Sequence, residues 1–188
     1  MNFQLLRNPR ATTRPLGMFF RLTPPWAACA LLAGLPVALS AQTKPELIKH
    51  WQTAKHFTLA VAEAMPADQY GYKPADPEMT FGQLMNHIAQ ADANYCARAS
   101  GAQNPLTPLT GDVAKDAATA RLTQALDFCI AQLTAASAAD LAKMIGPDGK
   151  QMSGAELFLG GFTHMAHHRG QAEVYLRVKG IKPPDYEF

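Results

Sequence analysis

Three histidines fall within five positions of one another in FTHMAHHRGQAEVYL, residues 162–176. His164 and His168 are spaced i and i+4, which on a helix puts both imidazoles on one face about 6 Å apart. That is the reach of two ligands of a single metal ion. A neutral imidazole also has one bare nitrogen and titrates near pH 7, so acid–base work is the other chemistry on offer.

The four-three spacing through this segment picks out Leu157, Gly161, His164, His168, Gln171, Tyr175 and Val178, a row of the kind that faces a helical core. The two histidines stand where a core leucine is expected. A buried imidazole without partners costs about 1–3 kcal/mol in unmade hydrogen bonds. Two of them one turn apart are reconciled with burial if they share an ion. The competing readings are hydrogen-bonded core histidines, or a helix rotated so that both are wet.

A metal site needs a further ligand from another helix. His87, in LMNHIAQAD, lies one turn from Leu84 and Ala91 on the flank of an apolar face, and is the natural third. Three neutral imidazoles leave a divalent ion with a position for water or substrate. Zinc is the default ion for such a set and nickel the alternative.

The remaining polar residues are less telling. His167 lies 100° around the helix from His168 and falls off the row, a place for a supporting or exposed residue. His50 and His56 sit on different faces of their helix and read as solvated. Gln171 could bond a bound water or substrate, or fill space against the backbone. Arg169 could fix an acidic group or the chain end, or be solvated, and Asn94 and Arg98, about two and three turns beyond His87, could line a pocket. Glu156 is placed as a helix cap and Glu173 faces outward, so no acid–base pair emerges.

The elements that must position these residues are helices. TKPE at residues 43–46 has a capping-box pattern with Pro45 in the first turn, and Leu47, Trp51, Ala54, Thr58, Val61 and Met65 follow as one stripe. TFGQ, residues 80–83, repeats the pattern ahead of Phe81, Leu84, Ile88, Ala91 and Tyr95. Asp112 is expected to cap a third helix bearing Leu122, Leu126, Cys129 and Leu133. GPDG, residues 146–149, signals a turn and a small hairpin. The last helix opens at SGAE, with Ser153 and Glu156 as its capping box, and is expected to stop at Gly180. Four helices of about 20 residues, each roughly 30 Å long, make an all-α four-helix bundle.

The 188 residues are 48% hydrophobic and 17% charged with a formal net charge of +2, enough for one domain with a real core. Arg7, Arg10, Arg14 and Arg21 precede the apolar WAACALLAGLPVALSAQ, residues 26–42. This is the pattern of a secretory signal peptide, too short to span a bilayer comfortably. Met18 is an alternative start. Residues 1–41 are therefore read as a leader and residues 42–188 as the domain. The expected location is outside the cytoplasm, periplasmic in a Gram-negative source and otherwise secreted, with membrane contact through the leader alone. No basic stripe remains in the domain, which argues against nucleic acid.

LMNHIAQAD together with HMAHHRGQAEVYLRVKGIKPP resembles the DinB-like family of metal-binding four-helix bundles, over about residues 44–186. The resemblance implies an up-down-down-up helix order and a divalent metal on His87, His164 and His168. It also implies an enzyme acting on an unidentified small molecule, as a transferase or isomerase using a low-molecular-weight thiol, whereas the expected export favours a metal-activated water acting as hydrolase. The rival class is a non-catalytic metal-binding or metal-stabilised bundle. A homodimer is a further expectation left open. In the up-down-down-up order Cys96 and Cys129 fall at similar height, so they could form a disulfide or remain as two buried thiols.

Overall fold

The protein is described by a computed structural model over residues 35–187, of which residues 35–43 are given as backbone alone. The chain divides between Pro36 and Val37 into two units, and the second, Val37–Phe188, holds the core. The leader expected over residues 1–41 lies outside the described residues except for its last seven, which are helical. Among the described residues no helix is long and apolar enough to cross a membrane.

Five α-helices, a 3-10 turn at Ala67–Gln69 and one small hairpin make up the described fold. They are α1 (Leu35–Ala64), α2 (Phe81–Ser100), α3 (Lys115–Ala135), the short α4 (Ala138–Ala142), β1 (Met144–Ile145), β2 (Met152–Ser153) and α5 (Gly154–Val178). The strands pair antiparallel, Met144 with Ser153 and Ile145 with Met152, bracketing the GPDG turn. The protein is thus mostly helical, as an all-α reading requires.

Two helix starts fall where the capping patterns put them. Thr80 accepts the Gln83 amide at 3.2 Å while the Gln83 side chain accepts the Thr80 amide at 2.9 Å. Ser153 and Glu156 form the same reciprocal pair at 3.2 and 2.6 Å. Each box satisfies two of the amides that a helix start leaves without partners.

Two other starts differ from expectation. Helix α1 does not begin at Thr43; it runs from Leu35 and carries Pro45 inside. The Ala- and Leu-containing segment before the proline favours helix, and the helix continues through Pro45 without the one backbone bond that proline removes. Helix α3 is capped by Ala114 without a side-chain bond, not by Asp112. Val113 is drawn into the core at 4% exposure, so the helix begins only after it. Asp112 instead accepts from Thr80 Oγ1 and Gln83 Nε2, both at 3.4 Å, tying the loop to the start of α2.

The core joins Trp51, Phe57, Phe81, Leu84, Met85, Ile88, Leu122, Leu126, Leu133, Leu157, Phe158 and Met165, all essentially without solvent contact. Fully burying one such side chain stabilises by about 1.5–3 kcal/mol. Cross-helix pairs give the relative directions. Asn86 meets Arg121 and Cys96 meets Cys129, so α2 and α3 run the same way. His87 meets His168 and Tyr95 meets Gly160, so α5 runs against α2. Trp51 packs on Phe162 and Phe57 under Arg169, so α1 runs with α5.

The α5 face is rotated from the row expected. Leu157, Gly161 and Tyr175 are buried as anticipated, but Gln171 and Val178 are exposed, and Met165, Ala172 and Leu176 take the innermost places. Helix α5 packs on both α1 and α2, so its buried centre lies between the two partners. His164 and His168 consequently stand at the margin facing α2 and are half-buried. A close approach sets their height: a Cβ on Gly160 would lie 2.9 Å from Tyr95 Cε1, and one on Gly161 would lie 3.2 Å from Tyr95 Cβ and 3.4 Å from Trp51 Cη2.

Candidate metal centre

Helix α2 carries His87 two turns past its Thr80 cap, and the antiparallel α5 brings His168 and His164 alongside it. His87 Nε2 lies 3.1 Å from His168 Nε2 and 3.1 Å from His164 Nε2. Ring centroids are 4.5 Å apart for His87 and His168, 4.9 Å for His87 and His164, and 4.4 Å for His164 and His168. One ligand atom from each residue lies within 4.8 Å of the other two, a group that could hold a metal ion. The edge of a tetrahedron with zinc–nitrogen bonds of about 2.05 Å is roughly 3.3 Å, close to the observed separations.

Proton bookkeeping shows why the three nitrogens fit a cation. His168 Nδ1 is 2.6 Å from Gln171 Oε1, an amide oxygen that only accepts, so the hydrogen is on Nδ1 and Nε2 is bare. His164 Nδ1 faces Asp92 Oδ1 at 3.4 Å. With its hydrogen directed at that oxygen, its Nε2 is bare as well. His87 Nε2 carries at most one hydrogen and sits equally near two lone pairs. One proton cannot serve both well, whereas one divalent ion accepts all three lone pairs.

Burial favours the same state. Desolvation lowers the pKa of all three imidazoles, and the neighbouring rings add to this for His87 and His168, while the Gln171 bond partly opposes it at His168. Neutral imidazoles are the form that binds metal. The folded values lie below the unfolded value of about 6.5, so the unfolded chain takes up protons first as pH falls. The stability these groups contribute is present above pH of about 6.5 and is lost as pH falls through the depressed folded values. The metal-free protein is expected to melt at lower temperature at pH 5.5 than at pH 7.5. His168→Ala, which leaves Asp92 untouched, should show a shallower fall in paired circular-dichroism melts; equal slopes would contradict the assignment.

Asp92 is the functional candidate that sequence reasoning passed over. It is fully buried, neither carboxyl oxygen has a hydrogen-bond partner, and burial pushes its pKa well above the ordinary carboxylate value. The His164 contact at 3.4 Å is an ion-pair distance and too long for a good hydrogen bond. The signal was present in LMNHIAQADANYC, residues 84–96, where Asp92 lies one turn from Ile88 and one from Cys96.

Other residues fall elsewhere. Gln171 braces His168 and reaches His167 Nε2 at 3.3 Å, so its partners are imidazoles and not the backbone. His167 is exposed in this supporting place, as its angle implied. Arg169 is buried and stacked over the Phe57 ring at 4.3 Å, and among the described residues it forms no ion pair. Asn94 is exposed and accepts from Asn104 at 2.6 Å. Arg98 borders a cleft with Ser100, Asp140 and Lys143 at the far end of α2. Glu173 pairs with Arg177 at 3.3 Å, and His56 with Glu187 at 2.9 Å. His50 packs edge-on near Phe162.

A family model described as "DinB family" matches residues 39–188. The chain belongs to the DinB family. A relative of this DinB chain, the uncharacterized protein YjoA of Bacillus subtilis strain 168, is 26% identical over 140 residues, 72% of this chain and 90% of that protein. The crystal structure of the same DinB-like YjoA superimposes with a TM-score of 0.64 at 22% identity, covering 75% of this chain and 96% of the other. A DinB-like protein from Bacillus cereus ATCC 10987 gives 0.61 at 16% identity, covering 75% and 95%. At these identities the two solved structures speak for the DinB fold alone.

Proposed function

We propose that this DinB protein is an exported metalloenzyme in which His87, His164 and His168 hold one divalent ion, zinc first and nickel second. The observation that carries this is the meeting of three imidazoles, with His87 Nε2 lying 3.1 Å from both His164 Nε2 and His168 Nε2. The pairwise helix directions support an up-down-down-up bundle as the frame of the site. The basic and apolar leader, together with a disulfide in the mature domain, supports a location outside the cytoplasm.

When bound, such an ion supplies Lewis acidity that brings the pKa of a water or thiol toward neutrality. The chain's own residues orient the site. Gln171 fixes the ring of His168, Asp92 lies behind His164, and the packed α2–α5 interface excludes solvent from the inner side. A small molecule would approach from the half-exposed side of the histidines, for hydrolysis or thiol transfer.

The second reading is a metal-stabilised bundle without turnover. It is favoured by the placement of Asp92, a buried carboxyl behind a ligand and not on the open side where a general base would act. Metal analysis of the purified mature protein, followed by chelation, separates the two. The enzyme keeps its helical signal after chelation and loses turnover of a small-molecule ester, amide or thiol substrate. The stabilised bundle melts far lower after chelation and turns over none of them. A protein that takes up neither zinc nor nickel would overturn both.

A further inference from the structure

We propose that Asp92 is a positioning residue that accepts the Nδ1 hydrogen of His164 and so presents His164 Nε2, bare and fixed in direction, to the ion. This rests on the reading that the three histidines hold a metal. The geometry is specific to one imidazole. Asp92 has no solvent contact, both its oxygens lack a hydrogen-bond partner, and its Oδ1 is 3.4 Å from His164 Nδ1, which is itself buried and without a bond. Two unmet partners, one donor and one acceptor, face each other across a gap that a small ring rotation closes.

The surroundings give the carboxyl group no hydrogen bond. It projects from the apolar stripe of α2 between Ile88 and Cys96, both wholly buried. Its carbonyl oxygen packs against the neighbouring Cys96–Cys129 bond, 3.2 Å from Cys129 Sγ. A carboxyl group left alone there is a cost without a return. Opposite a metal-bound imidazole it orients the ring and raises the donor strength of the far nitrogen. His168 has the same kind of brace in Gln171, but an uncharged one. The two α5 ligands thus differ: a carboxyl group behind His164, once ionised beside a bound cation, would also offset part of its charge, and an amide behind His168 cannot.

The test compares zinc affinity, by competition with a chromophoric chelator, for the wild-type mature protein, Asp92→Asn and Asp92→Leu. Asp92→Leu is expected to bind roughly 10–100-fold more weakly, and Asp92→Asn, which keeps an acceptor oxygen, to lie between. With cobalt(II) in place of zinc, the visible absorption bands should shift in Asp92→Asn. The metal-free melting temperature should stay level or rise in Asp92→Leu, because an unpartnered buried polar group is removed, and should change little in Asp92→Asn, which keeps one. Unchanged zinc affinity in Asp92→Leu alongside a zinc-binding wild type would overturn the role of Asp92 and leave the three-histidine site standing. A wild type that binds no zinc would overturn the site itself. Lower metal-free stability in both variants with affinity and cobalt bands unaltered would make Asp92 a packing residue only.

Discussion

Replacing His164 and His168 together with alanine should leave a folded helical protein that no longer retains a divalent ion. Structural zinc sites with four ligands are worth about 10–16 kcal/mol, so each ligand accounts for roughly 3 kcal/mol, or about two decades of affinity. Losing two of the three imidazoles should then weaken binding by about four decades, from stoichiometric retention to none after desalting. The fold should persist because both histidines stand at the margin, while Met165, Ala172 and Leu176 make the buried contacts. Alanine is also the strongest helix former. Metal content beside far-ultraviolet circular dichroism reads the two effects separately. Retained metal in the double variant would refute the ligand assignment, and loss of helical signal would show that the imidazoles carry structural weight.

The second large effect concerns the bond between Cys96 and Cys129, whose Cα atoms are 5.3 Å apart and which closes a 33-residue separation. In the chain-entropy account, a loop of that length is worth about 3–4 kcal/mol. Cys96→Ala with Cys129→Ala should lower stability by that amount. For a domain of this size, it should lower the melting temperature by roughly 8–15 °C. Both positions are wholly buried, and alanine is small and apolar enough to occupy them. Urea unfolding of the double variant against the oxidised parent gives the measurement; coincident midpoints would mean that the bond does not restrain the unfolded chain.

Much of the site was legible because it depends on spacing along single helices. The i, i+4 relation of His164 and His168, and the place of His87 after the Thr80 cap, are local facts of a helical chain. The structure brings all three together. The caps at Thr80 and Ser153 were equally readable, since a capping box involves residues three apart. What escaped was set by packing between helices. The rotation of α5 depends on how it is shared between α1 and α2, which no single periodicity contains, so Gln171 fell outside and turned to His168. Asp112 lost its capping place because Val113 was taken into the core. The disulfide could not be decided from one helix either: Cys96 and Cys129 meet only because α2 and α3 run the same way. Asp92 was visible as an acid on an apolar stripe, but its meaning required His164 from another helix.

Gly160 and Gly161 act through what they lack. Tyr95 and Trp51 fill the space where two methyl groups would stand, and His164 follows one turn later on α5. A methyl at either position would press on Tyr95 or Trp51, so that either those rings or the helix must shift one turn from His164, and a change of one carbon atom is expected to be felt at a nitrogen that it never touches. The register of the imidazoles is thus gauged by two hydrogens. Random replacement at this pair should be tolerated less than at most charged surface positions of the same helix, even though neither residue offers an atom to the chemistry.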